Sequence, residues 1–156
     1  MRLTFHTDYA LRLLMLLAME PNCRHTIAEV ARRYGISRNH LMKVTQTLAQ
    51  AGFVDSQRGR GGGLHLGKLP ASINLGAVVR ATEDSFALVE CFEQESSRCV
   101  VAPACGLRGP LEEALRAFLA VLDRYSLADL IRNPVALRKM RTLLAVPAGN
   151  SIRVRR

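Results

Sequence analysis

The stretch from residue 26 to residue 66 limits this chain to few folds. Thr26-Ile-Ala-Glu29 is a capping-box pattern, and it opens a short helix through Val30, Ala31 and Tyr34. Gly35 suits the left-handed conformation at which helices stop. Ile36 follows, then Ser37 as a second N-cap, and a helix from Arg38 that would bury Leu41, Val44, Leu48 and Ala51 before Gly52 closes it. Two short capped helices joined by a glycine turn make a helix-turn-helix. Phe53-Val54-Asp55-Ser56 and Leu64-His65-Leu66 then read as paired strands around Gln57-Arg58-Gly59-Arg60-Gly61-Gly62-Gly63. The glycines permit a tight hairpin, and a helix-turn-helix followed by a basic hairpin is a winged helix. The glycine-rich loop has neither the dinucleotide nor the P-loop spacing.

A recognition helix offers its N-terminal residues to base edges in the major groove. Here those are Ser37, Arg38, Asn39, His40 and Lys43, all able to hydrogen-bond. Arg38 suits guanine and Asn39 suits adenine. Arg58 and Arg60 stand at the hairpin tip, where they would reach phosphate or the minor groove. The charge follows the same division. Residues 1–68 carry ten Lys/Arg against four Asp/Glu, residues 69–131 five against nine, and residues 132–156 seven and no acid, within a net charge of +9. A basic front end suits a polyanion, most simply double-stranded operator DNA.

Before this motif, Thr7 is placed to cap a first helix, with Asp8 against its positive end and Leu11, Leu14, Met15 and Ala18 at helical spacing. The apolar run from Leu13 to Met19 is far too short to span a bilayer, and no signal-peptide pattern opens the chain, so the expectation is a cytoplasmic protein without a membrane partner. After the wing, a helix is expected from about Ile73 to Thr82. A long amphipathic helix beginning near Pro110 then carries the stripe Leu111, Leu115, Phe118, Leu119 and Leu122. A short chain offers that stripe few internal partners, and DNA half-sites favour two-fold dimers, so a homodimerisation helix is its natural use. Ser126-Leu-Ala-Asp129 caps one further turn. The expected organisation is a mostly α protein with three parts: a winged helix-turn-helix domain over residues 1–70, a cysteine loop and dimerisation helix over 71–133, and a basic, mobile tail over 134–156.

The loop ahead of the long helix holds Cys91, Cys99 and Cys105, with seven and then five residues between them. Clustered cysteines in a reducing compartment point to metal or redox chemistry. Soft thiolates select zinc, copper(I) or iron–sulfur clusters, and three of them leave a four-iron cluster one ligand short. Three thiolates and one carboxylate would also hold tetrahedral zinc. A winged-helix regulator using zinc or redox-active thiols is therefore the alternative. No catalytic base, nucleophile or cofactor motif accompanies the cysteines, so neither an enzyme nor an electron carrier is expected. Cys23 reads as a lone thiol at a helix junction. His6, His25, His40 and His65 are scattered, and none is assigned to metal.

A wing reading Arg-Gly-x-Gly-Gly-Gly, then three cysteines ahead of a dimerisation helix, resembles the iron–sulfur winged-helix regulators. The opening Met-Arg-Leu-Thr-Phe-His-Thr-Asp-Tyr-Ala-Leu-Arg is similar to the nitric-oxide-sensing repressors of that family. The resemblance runs from Met1 to about Asn133. It implies that Cys91, Cys99 and Cys105 ligate a cluster. It further implies that Asp8 completes the cluster from the other subunit of a homodimer, and that nitric oxide is the signal. An aspartate in that role goes with a 4Fe-4S rather than a 2Fe-2S cluster. Other members use a histidine after the third cysteine, and this chain has no histidine beyond His65. The gap between Cys91 and Cys99 is longer than is usual in the family.

Overall fold

The computed structural model describes residues 2–57, 59, 62–93 and 98–145. The apolar opening of the chain becomes α1, Phe5–Met19. Its cap is Thr4, whose hydroxyl accepts from the Thr7 amide at 3.2 Å, one turn earlier than expected from the sequence. Thr7 is instead fully buried inside the helix. Its hydroxyl donates to Thr82 Oγ1 at 2.9 Å, because a buried hydroxyl needs a partner. Ala10, Leu13, Leu14, Leu16 and Leu17 cover more than one face of α1, and all are buried. A helix apolar around most of its circumference belongs at a centre.

The expected helix-turn-helix follows as α2, Ile27–Tyr34, and α3, Arg38–Gln50. Thr26 caps α2 by accepting from the Glu29 amide, and Gly35 ends it at φ 66°. A residue with a Cβ adopts that conformation only at a cost. Ser37 occupies the N-cap of α3 but makes no side-chain capping bond, so its hydroxyl is not spent on the helix. Leu41, Val44 and Leu48 are buried, as their spacing predicts. Strands β1, Val54–Gln57, and β2, Gly63–Leu66, pair antiparallel, with Val54 opposite Leu66 and Gln57 opposite Gly63. A bridge from His25 to Leu64 adds the segment before α2 to the edge of this wing.

Helix α4, Leu75–Thr82, starts from the cap Asn74, two residues later than expected. Its Val78, together with Ile73 and Leu127, joins the same core as α1 and α3, so the core crosses the boundary expected at residue 70. Helix α5, Arg108–Asp123, lies on α4. The short helix α6, Leu127–Leu130, opens with the Ser126/Asp129 capping box seen in the sequence. The stretch 134–156, expected as a mobile tail, begins instead as helix α7, Pro134–Ala145. Leu137, Met140 and Leu144 lie at helical spacing and pack on the core. Arg33 Nε donates to Leu144 O at 3.2 Å, and Arg141 donates to Met19 O. The stripe is one residue wide, which makes it easy to pass over in a basic segment. Residues 146–156 lie outside the described residues. Among the described residues no helix is long and apolar enough to cross a membrane.

Candidate nucleic-acid interface and cysteine loop

Leu41, Val44 and Leu48 lock one face of α3 into the core, and this turns the opposite face outward. Ser37, Arg38, Asn39 and Lys43 are all exposed on it. His40 is set apart from them. It stands edge-on to Tyr9, with ring centroids 4.9 Å apart, and stacks on His6 at 6.1 Å. His6 Nε2 lies 3.0 Å from Thr47 Oγ1. Burial first, and then the neighbouring His40, pull the His6 imidazole below its ordinary range. The two histidines thus form a seam between α1 and α3.

Arg38 also lines a cleft of about 270 Å³ with Thr26, Ala28, Gln57, Gly59 and Gly63, where the start of α2, the start of α3 and the base of the wing meet. Arg58 and Arg60 lie outside the described residues. Arg24 was not singled out from the sequence. It is exposed beside the wing, and its guanidinium donates to Gln57 Oε1. Only the strand-like bridge at His25 brings it there, and a single bridge leaves no periodic signal.

The cysteine loop leaves the end of α4 and returns at α5. Cys91 lies in a turn over Glu90–Phe92. Cys99 and Cys105 flank a second turn over Ala102–Ala104, with Ala102 N donating to Cys99 O at 3.2 Å. The Arg98 amide donates to Glu90 Oε1 at 2.5 Å, so the two sides of the loop are tied together. All three cysteines are half-buried, and none is in a disulfide. Three thiols in one loop are a donor set suited to a soft metal centre. Among the described residues, no three ligand atoms of this loop lie within 4.8 Å of one another. A cluster attaches its ligands to different irons, so it does not need them gathered about one ion.

Asp8 sits in the first turns of α1 and pairs with Arg12 of its own chain at 2.7 Å, half-exposed. Nearby, α1 is fastened to the end of α4. The Thr4 amide donates to Glu83 Oε1 at 2.8 Å, one residue after the buried Thr7–Thr82 bond. The stripe Leu111, Leu115, Phe118, Leu119 and Leu122 is only half-buried, and no residue of α5 is fully buried.

Cys23 and His25, which no spacing in the sequence ties to a common partner, meet Glu20. One ligand atom from each of the three lies within 4.8 Å of the others. Glu20 caps the end of α1, so this grouping depends on where the helix stops.

Residues 3–133 match the family model Rrf2, described as an iron-dependent transcriptional regulator. The chain is 52% identical over 141 residues to the HTH-type transcriptional regulator NsrR of Bacillus subtilis, covering 90% of this chain and 97% of that protein. It is 45% identical over 132 residues to Protein aau3 of Rhizobium meliloti, covering 85% and 86%. Among solved structures, CymR, the global cysteine regulator of B. subtilis, superposes with a TM-score of 0.67 at 26% identity, covering 85% of this chain and 97% of that one. IscR of T. potens shares the fold with a TM-score of 0.68 at 23% identity, covering 85% and 87%. The NsrR relatives and the Rrf2 family are named as transcriptional regulators rather than enzymes. A winged helix with an outward basic recognition helix, matched over this length, places the chain in the Rrf2 family of transcriptional regulators.

Proposed function

We propose that the protein is a homodimeric repressor that senses nitric oxide through an iron–sulfur cluster of the four-iron type. The ligands are Cys91, Cys99 and Cys105 of one subunit and Asp8 of the partner subunit. The observation that carries this reading is the 52% identity to NsrR over 90% of the chain, since the NsrR branch it resembles reads nitric oxide. The donor chemistry of the loop supports it, as does the half-exposed position of Asp8. When bound, the cluster supplies iron sites that nitric oxide can ligate.

The chain's own residues do the rest. Ser37, Arg38, Asn39 and Lys43 face the major groove, with His40 buttressing α3 from behind. Arg58 and Arg60 engage phosphate or the minor groove. Leu111, Leu115, Phe118, Leu119 and Leu122 pair α5 with its copy and set the separation of the two recognition helices. Asp8 lies on the same end of α1 that holds Thr82 and Glu83 through Thr7 and Thr4, and Thr47 through His6. Holding or releasing Asp8 therefore biases the helix against which α3 rests. Half-sites lie about one helical turn apart, so a small reorientation of α3 lowers operator affinity. Affinity changes only as far as the two states differ in geometry.

A gel-shift titration of holo, nitric-oxide-treated and apo protein on one operator at fixed salt tests the switch. The holo form should bind tightly and the other two weakly. Equal affinity in all three would leave a DNA-binding protein and remove the sensor. An iron and sulfide assay on Cys99→Ala tests the ligand set, and full iron content would sink it. Arg38→Ala should lose about 1–3 kcal/mol of operator binding and relax specificity at one base pair. Unchanged binding would remove α3 as the reading helix.

A further inference from the structure

A second metal site, far simpler than a cluster, is built where α1 ends. His25 is 2% exposed, yet among the described residues its Nε2 has no hydrogen-bond partner. It lies 3.1 Å from Glu20 Oε2 without hydrogen-bond alignment. Leaving a buried imidazole nitrogen unpaired costs about 1–3 kcal/mol. Two ligands of one tetrahedral zinc, bound at about 2.0–2.2 Å each, stand roughly 3.3–3.5 Å apart. The observed separation is close to that of a shared ion.

The other ring nitrogen is already oriented. His25 Nδ1 lies 3.1 Å from Glu29 Oε1. A carboxylate on the far nitrogen of a ligating histidine fixes its tautomer and turns the free lone pair toward the metal. Glu20 is likewise held, since Arg33 donates to Oε2 at 2.9 Å and to Oε1 at 2.6 Å. A carboxylate has lone pairs left for a further partner. Cys23 is exposed and lines a cleft of about 380 Å³ with Pro21, His65 and Leu69. An ion at this point would be reachable from solvent and would keep one coordination position open.

We infer that Glu20, Cys23 and His25 form a zinc(II) site, with water from the cleft as fourth ligand. The donor set of one thiolate, one imidazole and one carboxylate is of the zinc type. On binding, zinc replaces the thiol proton of Cys23, which passes to solvent. The charges then balance well: Arg33 stands against Glu20 and Glu29, and the thiolate offsets part of the ion. The site joins the end of α1 to the segment that bridges β2 at Leu64. Zinc would clamp the root of the wing to the central helix.

The inference does not depend on the cysteine loop, and its test removes that loop's thiols. Full-length protein carrying Cys91→Ser, Cys99→Ser and Cys105→Ser is stripped with chelator and titrated with cobalt(II), a coloured stand-in for zinc. One equivalent should bind with a thiolate-to-cobalt absorption band and contact-shifted resonances from a single imidazole, and zinc should displace it. Adding Cys23→Ser, at an exposed position that should not disturb folding, should abolish the band with an unchanged circular dichroism spectrum. Zinc should raise the melting temperature of the triple variant but not of the quadruple one. Absence of the band in the triple variant, or its survival after Cys23→Ser, would overturn the site.

Discussion

Helices α1 and α5 are nearly the same length and both carry strong apolar patterns, yet they end in opposite environments. Of the 15 residues of α1, eight are buried; of the 16 in α5, none is. The central helix meets α3, α4, α6 and the wing within its own chain. Among the described residues the outer helix rests chiefly on α4, and its apolar stripe is only half covered. An apolar face gains stability only from what covers it, so α1 serves the fold, whereas α5 serves assembly under the proposal above. The same division separates a well-buried winged-helix body from the loop and helix that would regulate it under the proposal above.

The largest expected effect sits in α1. Leu14→Ala should cost about 2–5 kcal/mol, because Leu14 is fully buried and its cavity cannot collapse freely. Leu119→Ala should change the stability of dilute monomer by less than about 1 kcal/mol, while weakening self-association in sedimentation. Similar losses for the two variants in dilute denaturant melts would erase the contrast.

Next comes the junction beyond α1. The hydrogen bonds from Arg33 hold the Glu20 carboxyl below its ordinary range. Its folded pKa is depressed, so the stabilisation is complete above the unfolded value and disappears as pH falls through the folded one. Glu20→Gln should cost about 1.5–3 kcal/mol at neutral pH and flatten the acid limb of a stability–pH curve. An acid limb identical to the parent's would show that Glu20 is not the responsive group.

Smaller still is the bond between Thr7 and Thr82. Thr7→Val keeps shape and burial but removes one donor, while Thr82 keeps its bond to Val78 O at 2.9 Å. About 1 kcal/mol of stability should go. If the bond also couples α4 to α1, the cluster-dependent operator affinity proposed above should be weakened in part.

The least costly change for the fold is Gly76→Ala. A Cβ there would stand 1.9 Å from Asp123 Oδ1, which accepts from Arg80 Nη1 at 2.6 Å. Asp123 and Arg80 would both have to swing aside and give up an exposed ion pair, so melting should register only the small loss that goes with such a pair. The seat of α5 on α4 should shift, and self-association should report it.

Local signals were enough for the DNA-reading part. Thr26, Gly35 and Gly59 act within a few residues of themselves, so capping and turn chemistry reveal them in order along the chain. The buried positions of α3 follow from its period for the same reason. The start of α1 was displaced because Thr4 and Thr7 are both competent caps. What decides between them is a partner on α4, since Thr7 is consumed by Thr82 in the core.

The sequence alone determined the winged helix, the outward set Ser37, Arg38, Asn39 and Lys43, the three-cysteine loop and the underemployed stripe of α5, because each is written in spacing along one element. Tertiary structure alone decided that α7 closes over α2, that His40 turns to α1, and that Glu20, Cys23 and His25 meet. These depend on where separate elements come to rest, and the buried surface that settles it belongs to no single stretch of chain.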